Sequence, residues 1–251
     1  MKSAALLQRA AAIFPGRKHT RLPLQGAWAQ DARLPTFLVR GEGSHVVDVD
    51  GRRFIDYHCG FGSSVLGYAH PGVEAAAAAA SSAAGGATLT GPTALSVDLA
   101  ERLVALRPHC SWSILAKNGS DVTGLAKTVA RAATGRRGIL RENRGLSWAY
   151  HGAGSWARDA AGAPAAGVLS GEGADDEVGF TYNDLQSVER ALGVLEGDAA
   201  AIFVGGCSYP YSANTAQPTA EFVRGLRELA DRSGALLVVD EIRCARAEPA
   251  R

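Results

Sequence analysis

Lysine is scarce in this chain of 251 residues: only Lys2, Lys18, Lys117 and Lys127 occur, and none follows residue 127. A reaction that relies on an ε-amino group from a later segment therefore has no candidate here. Other absences exclude further classes. The formal net charge is +1, so no overall field favours nucleic acid or an anionic membrane. Cys59, Cys110, Cys207 and Cys244 form no CxxC pair and no zinc-ligand spacing, so no metal is expected, and reduced, buried thiols in a cytoplasmic protein are. No apolar run reaches the length of a membrane-spanning helix. Met1 to Ile13 carries Lys2, Gln8 and Arg9 among alanines and leucines; it lacks the apolar core and cleavage site of a signal peptide and reads as a short amphipathic helix.

What remains is ordinary for a globular protein: 47% apolar and 20% charged residues, with length enough for one large domain with a real core. The first 93 residues read as an N-terminal segment. It holds the short helix, a connector broken by Pro15, Gly16, Pro23 and Pro35, a hairpin turning at Asp50-Gly51, a glycine-rich stretch from Gly60 to Gly72 and an alanine-rich helix over Val73 to Ala84. A further helix, Ala94 to Leu106, opens residues 94–251 and repeats leucine at 95, 99, 103 and 106. Strands are then expected at Ser113–Ala116, Gly138–Arg141, Ala165–Leu169, Ala199–Val204 and Ala235–Val239, alternating with helices at Asp121–Ala133, Asp184–Leu195 and Thr219–Arg232. That alternation predicts an α/β domain with a mostly parallel sheet. Ala235–Val239 is composed for the middle of a sheet, which predicts exposed apolar edges and poor solubility where nothing covers it.

Three short motifs can carry chemistry. In Lys117-Asn-Gly-Ser-Asp121, between a strand end and a helix start, Gly119 permits close backbone approach, and Ser120 or Asp121 can cap the helix. The helix N-terminus is either an ordinary cap or an anion site; the spacing is neither a Walker A loop nor a GxGxxG fingerprint, so a nucleotide is not favoured. Tyr150-His151-Gly152 alone fits a packed pair as well as a site. Asp240 closes an apolar strand, where it serves either as a strand-end cap or as the partner of a buried cation such as a protonated ring nitrogen.

Taken in order, these motifs resemble the class III aminotransferases of fold type I, including the glutamate-1-semialdehyde aminomutase branch. The likeness runs from about Leu34 to Arg246 and includes Gly41-Glu-Gly43, Asp48-Val-Asp-Gly51, Gly67-Tyr-Ala-His-Pro71, Asn118-Gly-Ser-Asp121, Thr134-Gly-Arg136, Tyr150-His-Gly152 and Val239-Asp-Glu-Ile242. The resemblance implies an incomplete fold-type-I large domain and pyridoxal 5'-phosphate as cofactor, held noncovalently at best. It assigns Gly119, Ser120 and Asp121 to the phosphate, Tyr150 and His151 to the ring, Asp240 to the pyridine nitrogen and Ile242 to the other ring face. It implies amino transfer or an aminomutase reaction on a small amino or oxo compound, and a homodimer or a pairing with a C-terminal half. The family's Schiff-base lysine would lie a few dozen residues beyond Asp240-Glu241, so no catalytic residue is assigned here. Gly205 and Gly206 stand where the family has a glutamate and a proline, and Ala153, Gly154 and Ser155 follow the Tyr-His-Gly motif where relatives carry an acid. The alternative is a non-catalytic remnant or the partner subunit of a split aminotransferase.

Overall fold

The computed structural model describes residues 2–13, 18–19, 22–23, 33–35, 37–60, 62–86, 89–142, 177–207 and 216–242. They belong to two units, residues 1–93 and 94–251.

In the first unit, helix α1 (Lys2–Ile13) precedes two short paired strands, β1 (Lys18–His19) and β2 (Leu22–Pro23). An antiparallel meander follows: β3 (Leu38–Glu42), β4 (His45–Asp48) and β5 (Arg53–Ile55). The Asp50-Gly51 turn joins β4 to β5, and buried Asp48 braces it by accepting from Asp50 N at 3.0 Å, Arg52 N at 2.8 Å and Arg52 Nε at 2.8 Å. Asp50 has a second role. Its carboxylate accepts from Lys2 N at 2.6 Å and from the Ser3 hydroxyl, placing negative charge at the positive end of α1. Helix α2 (Pro71–Ala83) starts on a proline, whose missing N–H the first turn does not need.

One polar contact in this unit carries a pH signature. The Tyr68 hydroxyl donates to Asp56 Oδ2 at 2.6 Å. Burial acts to raise the Asp56 carboxyl, but the Tyr68 hydroxyl and the His58 amide outweigh it and hold it below its usual range. A depressed folded-state value stabilises the fold above the unfolded-state value of about 3.9, and that contribution is lost as pH falls through the folded value. Tyr68→Phe is expected to destabilise this unit by about 1 kcal/mol at pH 7. The deficit should shrink toward pH 3, as followed by thermal unfolding across that range; a deficit constant with pH would contradict the assignment.

The second unit opens with α3 (Ala94–Ala105) and continues through α4 (Gly119–Thr134), β6 (Gly138–Glu142), β7 (Glu177–Phe180), α5 (Leu185–Val194), β8 (Ala199–Gly205), α6 (Ala220–Ser233) and β9 (Leu236–Asp240). The strands form one parallel sheet in the order β7-β6-β8-β9. Period-two alternation divides the core. On one face Leu140, Ile202 and Val204 pack with Val188 of α5 and with Phe222 and Leu226 of α6. On the other, Ile139, Ala201 and Phe203 pack against Ala126 and Ala130 of α4. Central β8 is buried along its whole length. Asp184 and Thr219 cap α5 and α6 by accepting from Ser187 N at 3.1 Å and Phe222 N at 3.0 Å, each worth about 1 kcal/mol. Gly135, at φ +68, ends α4 in the left-handed conformation that glycine adopts without a Cβ penalty. Arg136 then reaches the Ala199 carbonyl at 3.2 Å and the Ser233 carbonyl at 2.5 Å.

The α/β architecture with helices on both faces of a parallel sheet matches the sequence reading. Four expectations need correction or qualification. Residues 113–116 form no strand, because no neighbour among the described residues completes a ladder, and Ile114 and Leu115 are exposed. The α3 leucines form a stripe, but Leu95, Leu99, Leu103 and Leu106 are exposed in the described structure rather than packed. Among the described thiols only Cys207 is buried; Cys59 is exposed and Cys110 intermediate, and Cys244 lies outside the described residues. Strands β3 and β7 were not expected, and the proposed strand at residues 165–169 lies outside the described residues.

Candidate functional site

Parallel strands place their carboxyl ends on one side of the sheet, and ligands in such folds gather there. Glu142, Phe180, Gly205 and Asp240 are the last residues of the four strands. Helix α4 joins β6 through Gly135 to Arg137 alone, so it runs back along the sheet and its N-terminus lies at this same end. It packs against both β8 and β9.

The α4 start differs from the expected cap. Asn118, not Ser120 or Asp121, is the N-cap, in extended conformation at φ −130 and ψ 156. Asp121 is the third helical residue, and its Oδ2 accepts from both Asn118 N and Asn118 Nδ2 at 3.1 Å. All of Asn, Ser and Asp can cap, and the apolar pattern leaves the first turn open by two residues. The Asp121 N–H is met by the Asn118 side chain in a capping box, and the N–H groups of Gly119 and Ser120 form the positive end of the helix dipole. A Cβ on Gly119 would meet nothing within 4 Å, so approach to this backbone is open. Asp121 meets Asn118 with both its side chain and its backbone N–H, so its part at this end is to hold the cap.

Asp240 ends β9 opposite Gly205 of β8. Its Oδ1 accepts from Ile242 N at 2.9 Å, turning the chain after the strand. The strand-end cap and the cation partner are therefore compatible, because one oxygen shapes the backbone while the group stays half-buried. Neighbouring Glu241 is engaged elsewhere, with Oε2 3.0 Å from Arg107 NH2. Ile242 is exposed. Tyr150 and His151, assigned to the ring by resemblance, lie outside the described residues.

Two features of this end escaped the sequence reading. Glu142 is fully buried at the end of β6, one residue beyond the strand expected over Gly138–Arg141. Tyr182 donates from its hydroxyl to the Gly205 carbonyl at 3.2 Å. Gly205 fits closely between them: a Cβ there would lie 2.8 Å from the Cys207 carbonyl and 3.7 Å from Glu142 Oε2. The turn that follows β8 thus leaves no room for a side chain at Gly205 without a backbone shift. Lys127 is bound to Glu177 at 2.5 Å, and Arg141 holds the other Glu177 oxygen at 3.2 Å. This ion cluster ties α4 to β6 and β7.

The residues present fit a pyridoxal phosphate at its two ends. Open helix N–H groups suit its phosphate, and a carboxylate on the same side of the sheet suits its ring nitrogen.

Comparison with known proteins agrees. The profile of aminotransferase class-III matches residues 27–247. The aminopentol aminotransferase of Sphingopyxis macrogoltabida is 37% identical over 245 residues, covering 95% of this chain and 53% of that protein. The glutamate-1-semialdehyde 2,1-aminomutase of Desulfatibacillum aliphaticivorans is 34% identical over 250 residues, covering 96% and 56%. The solved structure of the PLP internal aldimine form of the Sphingopyxis sp. MTA144 FumI protein superposes with a TM-score of 0.82 at 34% identity, over 96% of this chain and 55% of that one. The chain thus spans about half the length of the relatives it matches. From its motifs, its sheet and these matches, the chain belongs to the class III aminotransferase family.

Proposed function

We propose that this chain carries the noncovalent part of a pyridoxal phosphate site, in a protein that transfers an amino group on a small amino or oxo compound. The supporting observation is that the open N-terminus of α4 and the Asp240 carboxylate lie at one end of one sheet. The Gly119 and Ser120 amides bind and orient the phosphate, and Asp121 holds the Asn118 cap beside them. Asp240 holds a proton on the ring nitrogen, and Tyr150 with His151 covers one ring face and Ile242 the other. When bound, the cofactor supplies the electron sink that such chemistry needs. These residues fix position and charge. They supply no base at the substrate carbon, and Lys127 is committed to Glu177, so we propose that these 251 residues alone do not turn over. By resemblance to the family we also propose a cytoplasmic protein, as a homodimer or paired with a C-terminal half. The second reading, one subunit of a split aminotransferase, draws support from the exposed Leu236 and Val239 on β9.

The test uses pyridoxamine 5'-phosphate, which has no aldehyde and so reports noncovalent binding alone. Saturable 1:1 binding is expected by calorimetry. After incubation with pyridoxal phosphate and borohydride, mass spectrometry should find no stoichiometric adduct on any one lysine. Absence of pyridoxamine phosphate binding, or a stoichiometric adduct on Lys117 or Lys127, would overturn the proposal.

A further inference from the structure

We infer that Tyr182 is a positioning residue for Asp240, acting through the peptide group between Gly205 and Gly206. The inference deepens the pyridoxal phosphate reading and rests on it.

The link is a short chain of hydrogen bonds that crosses one peptide plane. The Tyr182 hydroxyl donates to the Gly205 carbonyl at 3.2 Å. The N–H of that same peptide, on Gly206, donates to the Asp240 carbonyl at 2.9 Å. A peptide group is planar and moves as one body, so whatever fixes its oxygen also aims its N–H. The two bonds that turn this plane belong to residues without a Cβ, which leave it wide freedom. Tyr182 supplies the restraint that the backbone lacks.

Tyr182 is itself held. Its ring packs on buried Phe222, with centroids 5.2 Å apart. Before it, Thr181 N donates to the Ser187 hydroxyl at 2.8 Å. After it, the Asn183 side chain donates to the Gln217 carbonyl at 2.9 Å and accepts from Thr219 N at 3.0 Å. The hydroxyl thus stands on a fixed arm.

The far end of the link is the residue assigned to the ring nitrogen. Leu237 packs into the core on the α5–α6 face and Val238 into the core on the α4 face. Alternation puts Asp240 with Val238, on the α4 side of the sheet. The ladder between β8 and β9 stops at the Gly205↔Asp240 pair, so the bond from Gly206 is what holds the Asp240 carbonyl past that point.

The test compares Tyr182→Phe with the unaltered full chain. Phenylalanine keeps the ring on Phe222 and removes only the hydroxyl. Without ligand, the Gly206 amide should exchange with deuterium about 3- to 10-fold faster, the scale of one modest hydrogen bond. A displaced Asp240 holds the ring proton less firmly. With pyridoxamine 5'-phosphate bound, the pH at which its ultraviolet band reports loss of that proton should therefore fall by about half a pH unit, a roughly threefold weaker hold. Thr219→Ala separates this from a loss of stability: it removes the α6 cap, so the urea midpoint falls, while the ultraviolet transition should stay where it is. Unchanged exchange at Gly206 in Tyr182→Phe overturns the link. Faster exchange with an unmoved transition overturns the positioning role, as does an equal shift in Thr219→Ala. If the unaltered chain binds no pyridoxamine phosphate, the cofactor reading falls and takes this inference with it; if it binds and Tyr182→Phe behaves identically, the inference alone falls.

Discussion

Asp240→Asn is expected to weaken pyridoxamine 5'-phosphate binding by about 10- to 100-fold, the equivalent of the roughly 1.5–3 kcal/mol carried by a hydrogen bond to a charged group. Asparagine keeps the size of the side chain and can still accept from Ile242 N, so the turn after β9 survives. What it loses is the negative charge that favours a proton on the ring nitrogen. Glu241→Gln is the internal control. That neighbour is held by Arg107 at the surface, and an exposed pair of this kind contributes at most about 1 kcal/mol to stability; ligand affinity should be unaffected. Equal losses from both substitutions would remove Asp240 from its assigned role and leave only a general field effect.

Phe203→Ala should reduce unfolding stability by about 3–5 kcal/mol, a large part of the roughly 5–15 kcal/mol of a typical domain. Phe203 is fully buried in the central strand, and its neighbours under α4 are mostly small: Ala126, Ala130, Ala200 and Ala201. Alanines cannot lean in to fill the space, so the cavity persists and the loss falls at the upper part of the range. The urea midpoint reads this directly. The result also bears on function, because this packing sets where the N-terminus of α4 sits. A loss below about 1 kcal/mol would mean that α4 is not seated on the sheet as described.

How much of this was legible in the sequence depended on how strongly each stretch broke its own pattern. The apolar run that stops at Asp240 marked both a strand and its carboxyl end, and the spacing of Leu185, Val188, Leu192 and Leu195 marked the face of α5 that packs in the core. Strand β3 escaped because Arg40 and Gly41 interrupt it, and β7 because Glu-Val-Gly-Phe is short and polar at its start. Only tertiary pairing makes those segments strands. The cap of α4 was misplaced by two or three residues, since Asn118, Ser120 and Asp121 are chemically interchangeable there. Glu142 left no motif; its burial follows from β6 running one residue beyond the strand expected over Gly138–Arg141.

Arg136 sets the two ends of this sheet apart. Its guanidinium gathers the carbonyls of Ala199 and Ser233, residues 63 and 97 positions away, at the end of the strands opposite Asp240. Contacts between such distant segments are where much of the loop-closure entropy is recovered. The stitched end therefore joins the start of β8 and the end of α6 to the approach to β6 through one side chain, so that loss of Arg136 would loosen three segments at once.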